Sequence, residues 1–198
     1  MNEREIASRL VIEQLERGAG KHPFDPIVLA GPRSALPHGE PGERRIAEGE
    51  PLLIDFGTTV RGYASDITRT FSVGAPSARL AEVYAVVQAA NAAGRAAAGP
   101  GVPAQELDRI TRQVIEAAGF GVYFTHRTGH GLGLEAHEGP NIVEGNTRRL
   151  EPGMVFTIEP GVYIPGEVGV RIEDNIVITE DGAESLTTFP RDLMQIGS

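Results

Sequence analysis

The sequence contains no cysteine, no basic run and no long apolar segment. Without cysteine the fold cannot depend on disulfide bonds, which favours a cytoplasmic location. The formal net charge is −9, and positive charge is nowhere concentrated, which argues against a nucleic-acid partner. No segment approaches the ~20 apolar residues of a membrane-spanning helix, and no signal peptide is recognised. We therefore expect a cytoplasmic protein with neither nucleic-acid nor membrane partners.

Glycine and proline are frequent, with 25 and 14 residues among 198, but they stay below the roughly 25 to 30% that is typical of disordered chains. A chain of this length fits one domain with its own core. Helices are predicted at 2–18, where Asn2 and Glu5 form a capping box, at 77–98 and at 103–119. Strands are predicted at 26–31, 52–60 and 62–71, and again in the last third, which gives an α+β fold.

The first informative segment spans residues 52–71 (LLIDFGTTVRGYASDITRTF), in which apolar and small polar residues alternate around a turn-like centre. This pattern predicts a β-hairpin that turns at Val60 and Arg61. Asp55 and Asp66 would then lie directly opposite each other on one face, with Cβ atoms about 4.5 to 5.5 Å apart. The hairpin therefore presents a pair of acids.

A second hairpin, predicted over residues 155–178, repeats this arrangement. The turn is centred on Gly166, directly after Pro165, and Glu159 lies opposite Glu173. Four carboxylates in otherwise apolar strands repel one another and lose hydration, so they require either protonation or a cation. A divalent metal ion meets this requirement.

Residues 129–138 (GHGLGLEAHE), between the hairpins, supply two imidazoles. Glycines on both sides of His130 allow close backbone approach and leave its ring free to bind a metal, and His137 follows in the same segment. Four acids and one imidazole exceed what one tetrahedral ion needs, and this oxygen-rich set suits manganese, cobalt or zinc. Two ions about 3.5 to 4 Å apart would use all five ligands and activate a water for hydrolysis.

These residues resemble the pita-bread metallopeptidases, the family of methionine aminopeptidase, aminopeptidase P and prolidase (Xaa-Pro dipeptidase). The resemblance extends over residues 5–186, and its motifs occur in the family's order. The motifs are LPHG (36–39), DFG (55–57), SDITRT (65–70), GHGLG (129–133), HE (137–138), IEPG (158–161) and RIED (171–174). The resemblance implies an α+β pita-bread fold, in which two halves of helix and antiparallel strands are related by a pseudo-twofold axis around a curved central sheet.

The resemblance also assigns roles to single residues. Five residues match the ligands of a dinuclear metal site: Asp55, Asp66, His130, Glu159 and Glu173. His38 and His137 match catalytic histidines that contact the substrate and stabilise the tetrahedral intermediate. Glu159 matches the catalytic residue that carries a proton from the metal-bridging water, which becomes the attacking hydroxide, to the leaving amine. The implied cofactor is a pair of divalent ions, with manganese favoured and cobalt or zinc as alternatives.

Tyr63 and Arg171 fall where the proline-directed members of the family line the substrate pocket. Both are therefore candidate substrate-binding residues, together with His38 and His137. Arg171 also shares a strand face with Glu173, so neutralising the acid cluster is its alternative role.

Three other residues are candidates for contacts behind the ligands. Thr68 and Thr157 are candidate donors that orient the carboxylates, although β-branched residues are common in strands for reasons of propensity alone. His126 is expected to be structural or to contact a ligand.

The segments SDITRTF (65–71) and HRTGH (126–130) are closer to bacterial prolidase and aminopeptidase P than to methionine aminopeptidase. The favoured partners are thus dipeptides or short peptides with proline second, whose tertiary amide has no N–H and resists general peptidases. The alternatives are methionine aminopeptidase and a non-catalytic pita-bread module that binds peptides. Retention of all five ligands favours an enzyme, and a homodimer is the candidate assembly.

Two features depart from the resemblance. Prolidases and aminopeptidases P carry a separate N-terminal domain, and the family's catalytic domain usually opens with a further helix. Residues 1–198 are therefore expected to form a catalytic domain that lacks both, as a short member of the family or a piece of a longer chain. The predicted halves are also unequal, because two helices precede the strands of the second half and one precedes those of the first.

Overall fold

A computed structural model describes residues 1–197 of the protein, and two of its three α-helices begin at a residue whose side chain caps the helix. The α-helices are α1 (Glu3–Glu16), α2 (Ala78–Ala97) and α3 (Ala104–Ala117), with short 3-10 helices at Gly31–Ala35 and Gly121–Tyr123. Asn2 and Glu5 form the predicted capping box, because each side chain accepts a hydrogen bond from the other residue's backbone N–H. Pro103 was predicted in the first turn of α3 but is its N-cap, so the helix begins at Ala104. The φ of Pro103, −65°, is helical, whereas its ψ of 137° is extended.

Thirteen strands are present within residues 1–197. They are β1 (Ile27–Ala30), β2 (Pro51–Phe56), β3 (Thr59–Val60), β4 (Tyr63–Ala64), β5 (Ile67–Val73), β6 (Gly129–Gly131), β7 (Glu138–Ile142), β8 (Val155–Ile158), β9 (Gly161–Ile164), β10 (Val168–Arg171), β11 (Asp174–Ile178), β12 (Ala183–Ser185) and β13 (Gln195–Ile196). One sheet has the order β1-β2-β5-β13, and another has the order β12-β11-β8-β6-β7. The pairs β3-β4 and β9-β10 are two-stranded.

The second hairpin has the predicted register. In the β9–β10 ladder Tyr163 lies opposite Gly169, and in the β8–β11 ladder Ile158 lies opposite Asp174. Both ladders turn around Gly166, whose φ of 75° is the left-handed conformation that glycine adopts most readily. The gap between the two ladders contains the facing positions 159 and 173, so the predicted acid pair is confirmed in register.

The first hairpin differs from the prediction by one residue at its turn. Arg61 and Gly62 form the turn, with φ values of 53° and 88°, and Asp55 lies opposite Thr68 instead of Asp66. Two positive φ values are typical of the tight hairpin turns that match strand twist. Asp66 falls outside the ladder, in the interruption between β4 and β5. The predicted continuous strands 52–60 and 62–71 are therefore each divided in two.

Helices α2 and α3 pack against strands of the second half, whereas α1 packs against β1. Apolar side chains of α2 and α3 meet β9 and β10 in the largest core cluster, which includes Val83, Val87, Ile115, Val162 and Val170. A second cluster lies between α3 and the five-stranded sheet.

The two halves meet where β5 contacts β10 and β11. There the backbone N–H of Glu173 donates to the carbonyl of Thr68 at 3.1 Å, and the Arg69 guanidinium donates to the Asp174 carboxylate at 2.8 Å. This contact brings the acid-bearing strands of both halves together, as an α+β fold with related halves requires. None of the helices within residues 1–197 has the length and apolar character needed to cross a membrane.

Candidate metal centre

One cavity of about 510 Å³ lies where the two halves meet. All five predicted ligands line it: Asp55, Asp66, His130, Glu159 and Glu173. Interruptions in the strands position three of them, because Asp66, Glu159 and Glu173 each occupy a break between ladders. Side chains at such breaks are released from the alternation of the strand and can converge on one point.

Three donor groups are close enough to share one ion. Single ligand atoms of Asp66, His130 and Glu173 all lie within 4.8 Å of one another. The Nε2 atom of His130 is 3.7 Å from Oδ2 of Asp66 and 3.3 Å from Oε1 of Glu159. The tightest part of the cluster therefore joins acids from both hairpins around the imidazole.

The ligand set has unused hydrogen-bonding capacity. Oδ1 of Asp55, Oδ1 of Asp66 and Oε1 of Glu173 are buried and have no hydrogen-bond partner within residues 1–197. Buried carboxylate oxygens without partners are costly, and a cation removes this cost. The donor set, carboxylates with one imidazole, therefore fits divalent metal ions such as manganese, cobalt or zinc.

Ionisation of the cluster is strongly disfavoured by its surroundings. Burial, followed by the neighbouring carboxylates, raises the pKa of Asp66 and of Glu173 well above the ordinary values. Burial raises the pKa of Glu159 to about 7. Burial also lowers the pKa of His130 to about 4, so its imidazole is neutral and able to bind a metal at neutral pH.

The glycines beside His130 permit the close approach that the sequence predicted. A Cβ atom on Gly129 would lie 1.8 Å from the carbonyl oxygen of Thr157, and one on Gly131 would lie 2.2 Å from the carbonyl oxygen of Gly139. Side chains at these two positions would force β6 away from its neighbours. The backbone N–H of His130 also donates to Oγ1 of Thr157 at 3.0 Å, which fixes the position of the histidine in the sheet.

Both threonines predicted behind the ligands contact carboxylates. Oγ1 of Thr68 donates to Glu173 at 2.6 Å, and Oγ1 of Thr157 donates to Glu159 at 3.1 Å. Each hydroxyl therefore holds one oxygen of a ligand carboxylate and leaves the other oxygen for an ion.

Arg171 lies inside the acid cluster instead of facing an open pocket. Its guanidinium donates to Asp55 at 2.5 Å, to Oγ1 of Thr68 at 3.0 Å and to the hydroxyl of Tyr163 at 2.7 Å. The same hydroxyl lies 2.8 Å from Nε2 of His126. These contacts agree with the alternative prediction that Arg171 neutralises the acids, since its side chain is buried beside them.

The remaining predicted residues lie at the mouth of the cavity or outside it. His38 and His137 line the cavity and are exposed to solvent. The rings of His130 and His137 are edge to face, with centroids 4.2 Å apart. Tyr63, in contrast, is 63% exposed on the β3–β4 hairpin and is not among the cavity-lining residues.

Sequence reasoning did not predict roles for Tyr163 or Arg127. Tyr163 lies in an apolar strand, GVYI, whose pattern is that of an ordinary core segment. Arg127 adjoins the His130 motif and lines the cavity, but one arginine in a loop carries no pattern of its own. The contacts of Tyr163 with Arg171 and His126, and the place of Arg127 in the cavity wall, were needed to identify them.

The raised pKa values predict how stability depends on pH and metal. An acid whose pKa is higher in the folded state than in the unfolded state makes unfolding easier as pH rises. We therefore expect the melting temperature of metal-free protein to fall as the pH rises through 7, where Glu159 loses its proton, and Asp66 and Glu173 act in the same direction. At a fixed manganese concentration of about 100 times the Kd at pH 7, binding should add about 2.7 kcal/mol, or about 5 to 10 °C, at pH 7. The gain at the same manganese concentration should be larger at pH 8.5, where the acids release their protons more readily to the metal. Differential scanning fluorimetry measures the melting temperature with and without manganese at each pH.

Two substitutions test whether this pH dependence arises from the acid cluster or from the loss of any negative charge. Glu173→Gln should flatten the pH dependence of metal-free protein, because it removes one acid with a raised pKa. Glu135→Gln, an exposed position in the loop after His130, should leave the pH dependence unchanged. A melting temperature that rises with pH in metal-free protein would contradict the assignment.

The sequence pattern of Metallopeptidase family M24 matches residues 1–180. The chain belongs to this family. The M24 chain superimposes on an X-Pro aminopeptidase from Thermotoga maritima MSB8 with a TM-score of 0.97 and 43% identity, over 99% of this chain and 56% of that one. The predicted pita-bread fold is thereby confirmed.

Curated relatives of this M24 chain are also peptidases by name. It is 49% identical over 189 residues to the uncharacterized peptidase YqhT of Bacillus subtilis, and this alignment covers 96% of this chain and 54% of the relative. It is 47% identical over 192 residues to a Xaa-Pro dipeptidase of Pyrococcus furiosus, and this alignment covers 97% of this chain and 55% of the relative. The chain spans about half the length of the relatives it matches.

Proposed function

We propose that this M24 chain is a metal-dependent peptidase that hydrolyses the Xaa-Pro bond at the N-terminus of dipeptides or short peptides. One observation carries the proposal: acids from both hairpins converge with His130 in a single cavity, where three buried carboxylate oxygens have no hydrogen-bond partner among the described residues. The names of similar proteins, an X-Pro aminopeptidase and a Xaa-Pro dipeptidase, support the choice of substrate.

In this proposal the cofactor is a pair of divalent ions. Five residues would hold them: Asp55, Asp66, His130, Glu159 and Glu173. The oxygen-rich set favours manganese, with cobalt and zinc as alternatives. When bound, such ions polarise a substrate carbonyl and lower the pKa of water toward neutrality.

Glu159 is the proposed proton carrier. Its carboxyl group is mostly buried, with 15% of the side chain exposed, and burial raises its pKa to about 7. A carboxyl group with a pKa near the working pH can accept a proton and release it again within one turnover. The Thr157 hydroxyl holds one of its oxygens, so the carboxylate keeps a fixed orientation while it transfers the proton.

His38 and His137 are the proposed donors to the substrate. Burial, and then the charge of Arg127, lowers the pKa of His137, so its imidazole is neutral at pH 7. A neutral imidazole donates one N–H, which stabilises negative charge that develops on a carbonyl oxygen. Both side chains line the cavity of about 510 Å³ and face solvent, so a peptide that enters the cavity can contact them.

Proline in the second position of the substrate explains why a dedicated peptidase is needed. The Xaa-Pro amide has no N–H, and its ring fixes φ near −65°. Short proline-containing peptides are accordingly the proposed partners. Arg171 is proposed to act on such substrates through Asp55, to which it donates a hydrogen bond, because its buried guanidinium has four protein partners.

Restoration of activity by metal tests the proposal. Metal-stripped protein should not cleave Ala-Pro, and manganese, cobalt or zinc should restore cleavage. Ala-Pro and Ala-Pro-Ala should be preferred to Met-Ala-Ser. Amino acid analysis of the released products measures the cleavage of all three peptides.

A matched pair of aspartates provides the control. Asp66→Asn should lose metal and cleavage together, whereas Asp25→Asn, at an exposed position lining the same cavity, should retain both. Preference for Met-Ala-Ser would indicate methionine aminopeptidase activity instead. Metal binding without cleavage of any peptide would indicate a peptide-binding module.

A further inference from the structure

Asn91 is a buried polar residue on α2, with 1% of its surface exposed. Its side-chain amide donates to two backbone carbonyls, that of Ile158 at 3.1 Å and that of Ile172 at 3.3 Å. These two residues directly precede the proposed ligands Glu159 and Glu173. One amide group therefore joins the two backbone segments that carry the acid pair of the second hairpin.

A second residue of α2 fixes the orientation of this amide. The Nε atom of Arg95 donates to Oδ1 of Asn91 at 2.8 Å. A guanidinium can only donate hydrogen bonds, so the atom that it contacts must be the amide oxygen. The amide nitrogen then points to the strands, and its two N–H groups provide one donor for each carbonyl.

The carbonyl of Ile172 needs this donor because of Pro160. The register of the second hairpin places Ile172 opposite Pro160, and the N–H of Ile172 donates to the Pro160 carbonyl at 3.3 Å. In such an antiparallel pair the partner would donate in return, but proline has no N–H. Ile172 is fully buried, so bulk water does not replace the missing donor. Asn91 therefore completes the ladder directly before Glu173.

Helix α2 approaches these strands closely at Gly94. A Cβ atom at this position would lie 3.0 Å from Cγ2 of Ile158 and 2.5 Å from Oγ1 of Thr111. Gly94 follows Asn91 by three residues and therefore lies on the same face of the helix. The absence of a side chain at Gly94 thus keeps the strand within reach of the short Asn91 side chain.

We propose that Asn91 is a positioning residue of the metal centre. It sets the separation of Glu159 and Glu173 by holding the backbone directly before each of them. This inference rests on the proposed function, which assigns both acids as metal ligands. Loss of a residue that orients ligands typically weakens metal binding by about 10- to 100-fold. Because Glu173 keeps its hydrogen bond from Thr68, we expect the lower end of this range.

Cobalt binding measures this role without a peptide. Calorimetry of metal-free protein with cobalt gives the Kd, and the visible absorption of bound cobalt depends on the number and arrangement of its ligands. Asn91→Leu keeps the branching of the side chain but removes the amide, so it should raise the Kd by about 10-fold and change the absorption. A residue that only stabilised the fold would lower the melting temperature and leave both readouts of the folded protein unchanged.

Two milder variants keep the test independent of folding, since Asn91→Leu leaves buried carbonyls without this donor. Arg95→Met removes the contact that orients the amide, while Asp174 keeps its ion pairs with Arg69 and Arg191. It should raise the Kd in the same direction by a smaller factor. Asn91→Gln retains the amide, one methylene farther from the helix, and should recover part of the affinity. If Asn91→Leu does not fold, these two variants decide.

Ser72→Ala is the matched control. The Ser72 side chain is fully buried and donates to the carbonyl of Gly74 at 2.9 Å, but it does not line the cavity. This variant also loses a buried hydrogen bond to a backbone carbonyl. It should lower the melting temperature and leave the cobalt Kd and absorption as in the wild type.

The outcomes separate this inference from the proposed function. Wild-type cobalt affinity and absorption in the folded variants of Asn91 and Arg95, or the same changes in Ser72→Ala, would overturn the role of Asn91 and leave the peptidase intact. Absence of Ala-Pro cleavage by wild-type protein, with the difference in cobalt binding retained, would contradict the peptidase and support the role of Asn91. Absence of cobalt binding by wild-type protein would overturn both.

Discussion

Glu159→Gln is expected to lower the kcat for Ala-Pro by about 10² to 10⁴-fold while the fold is retained. Glutamine has nearly the same shape, and its amide oxygen can still accept the hydrogen bond from Thr157. It cannot accept and release a proton, however, so the transfer assigned to the carboxyl group is lost. Because burial raises the pKa of Glu159 to about 7, replacing it also removes a buried acid that is costly to ionise.

Two measurements make this prediction specific. Elemental analysis should show whether the variant carries two ions, and turnover should be compared between protein samples with equal metal content. The melting temperature of the metal-free variant at pH 8 should be at least that of the wild type. Glu135→Gln, at an exposed position in the loop after His130, should keep wild-type turnover. Near-normal turnover of metal-loaded Glu159→Gln protein would show that another group carries the proton.

His137→Ala is expected to lower kcat for Ala-Pro by about 10² to 10³-fold, the usual cost of one donor to a developing negative charge. The side chain is exposed at the mouth of the cavity, so its removal should change the melting temperature little. Its ring lies against that of His130, with centroids 4.2 Å apart. Steady-state kinetics with metal-reconstituted protein measure the effect.

A second histidine and a second substitution serve as controls. His22→Ala removes an imidazole that contacts Gln14 at 3.0 Å and does not line the cavity, so it should leave kcat unchanged. His137→Gln retains an N–H donor and should recover part of the lost turnover. If His137→Ala changed only KM, the histidine would bind substrate without stabilising the transition state.

The two hairpins show what local sequence can specify. In the second hairpin, Pro165-Gly166 sets the turn and continuous apolar strands set the pairing, so the facing positions of Glu159 and Glu173 were predictable. In the first hairpin, the turn lies at Arg61 and Gly62, one residue later than predicted. A positive φ at Arg61 is unusual for a residue with a side chain, and the sequence gives no sign of it.

The convergence of the acids depends on breaks that alternation does not reveal. Asp66 lies between β4 and β5, outside any ladder, and still reaches the same cluster as His130 and Glu173. The predicted cross-strand pair was therefore wrong in register, although the two aspartates line one cavity.

The sequence by itself determined the family, the helices, the α+β class and four of the five cavity-lining acids, because motifs, caps and periodicity are local properties of the chain. The tertiary structure decided which groups meet across the two halves. Arg171 binds Asp55, and Tyr163 joins Arg171 to His126. Such contacts join residues far apart in the sequence, and their geometry depends on how β5 packs against β10 and β11. The same packing buries the carboxylates, raises their pKa values and creates the need for a cation.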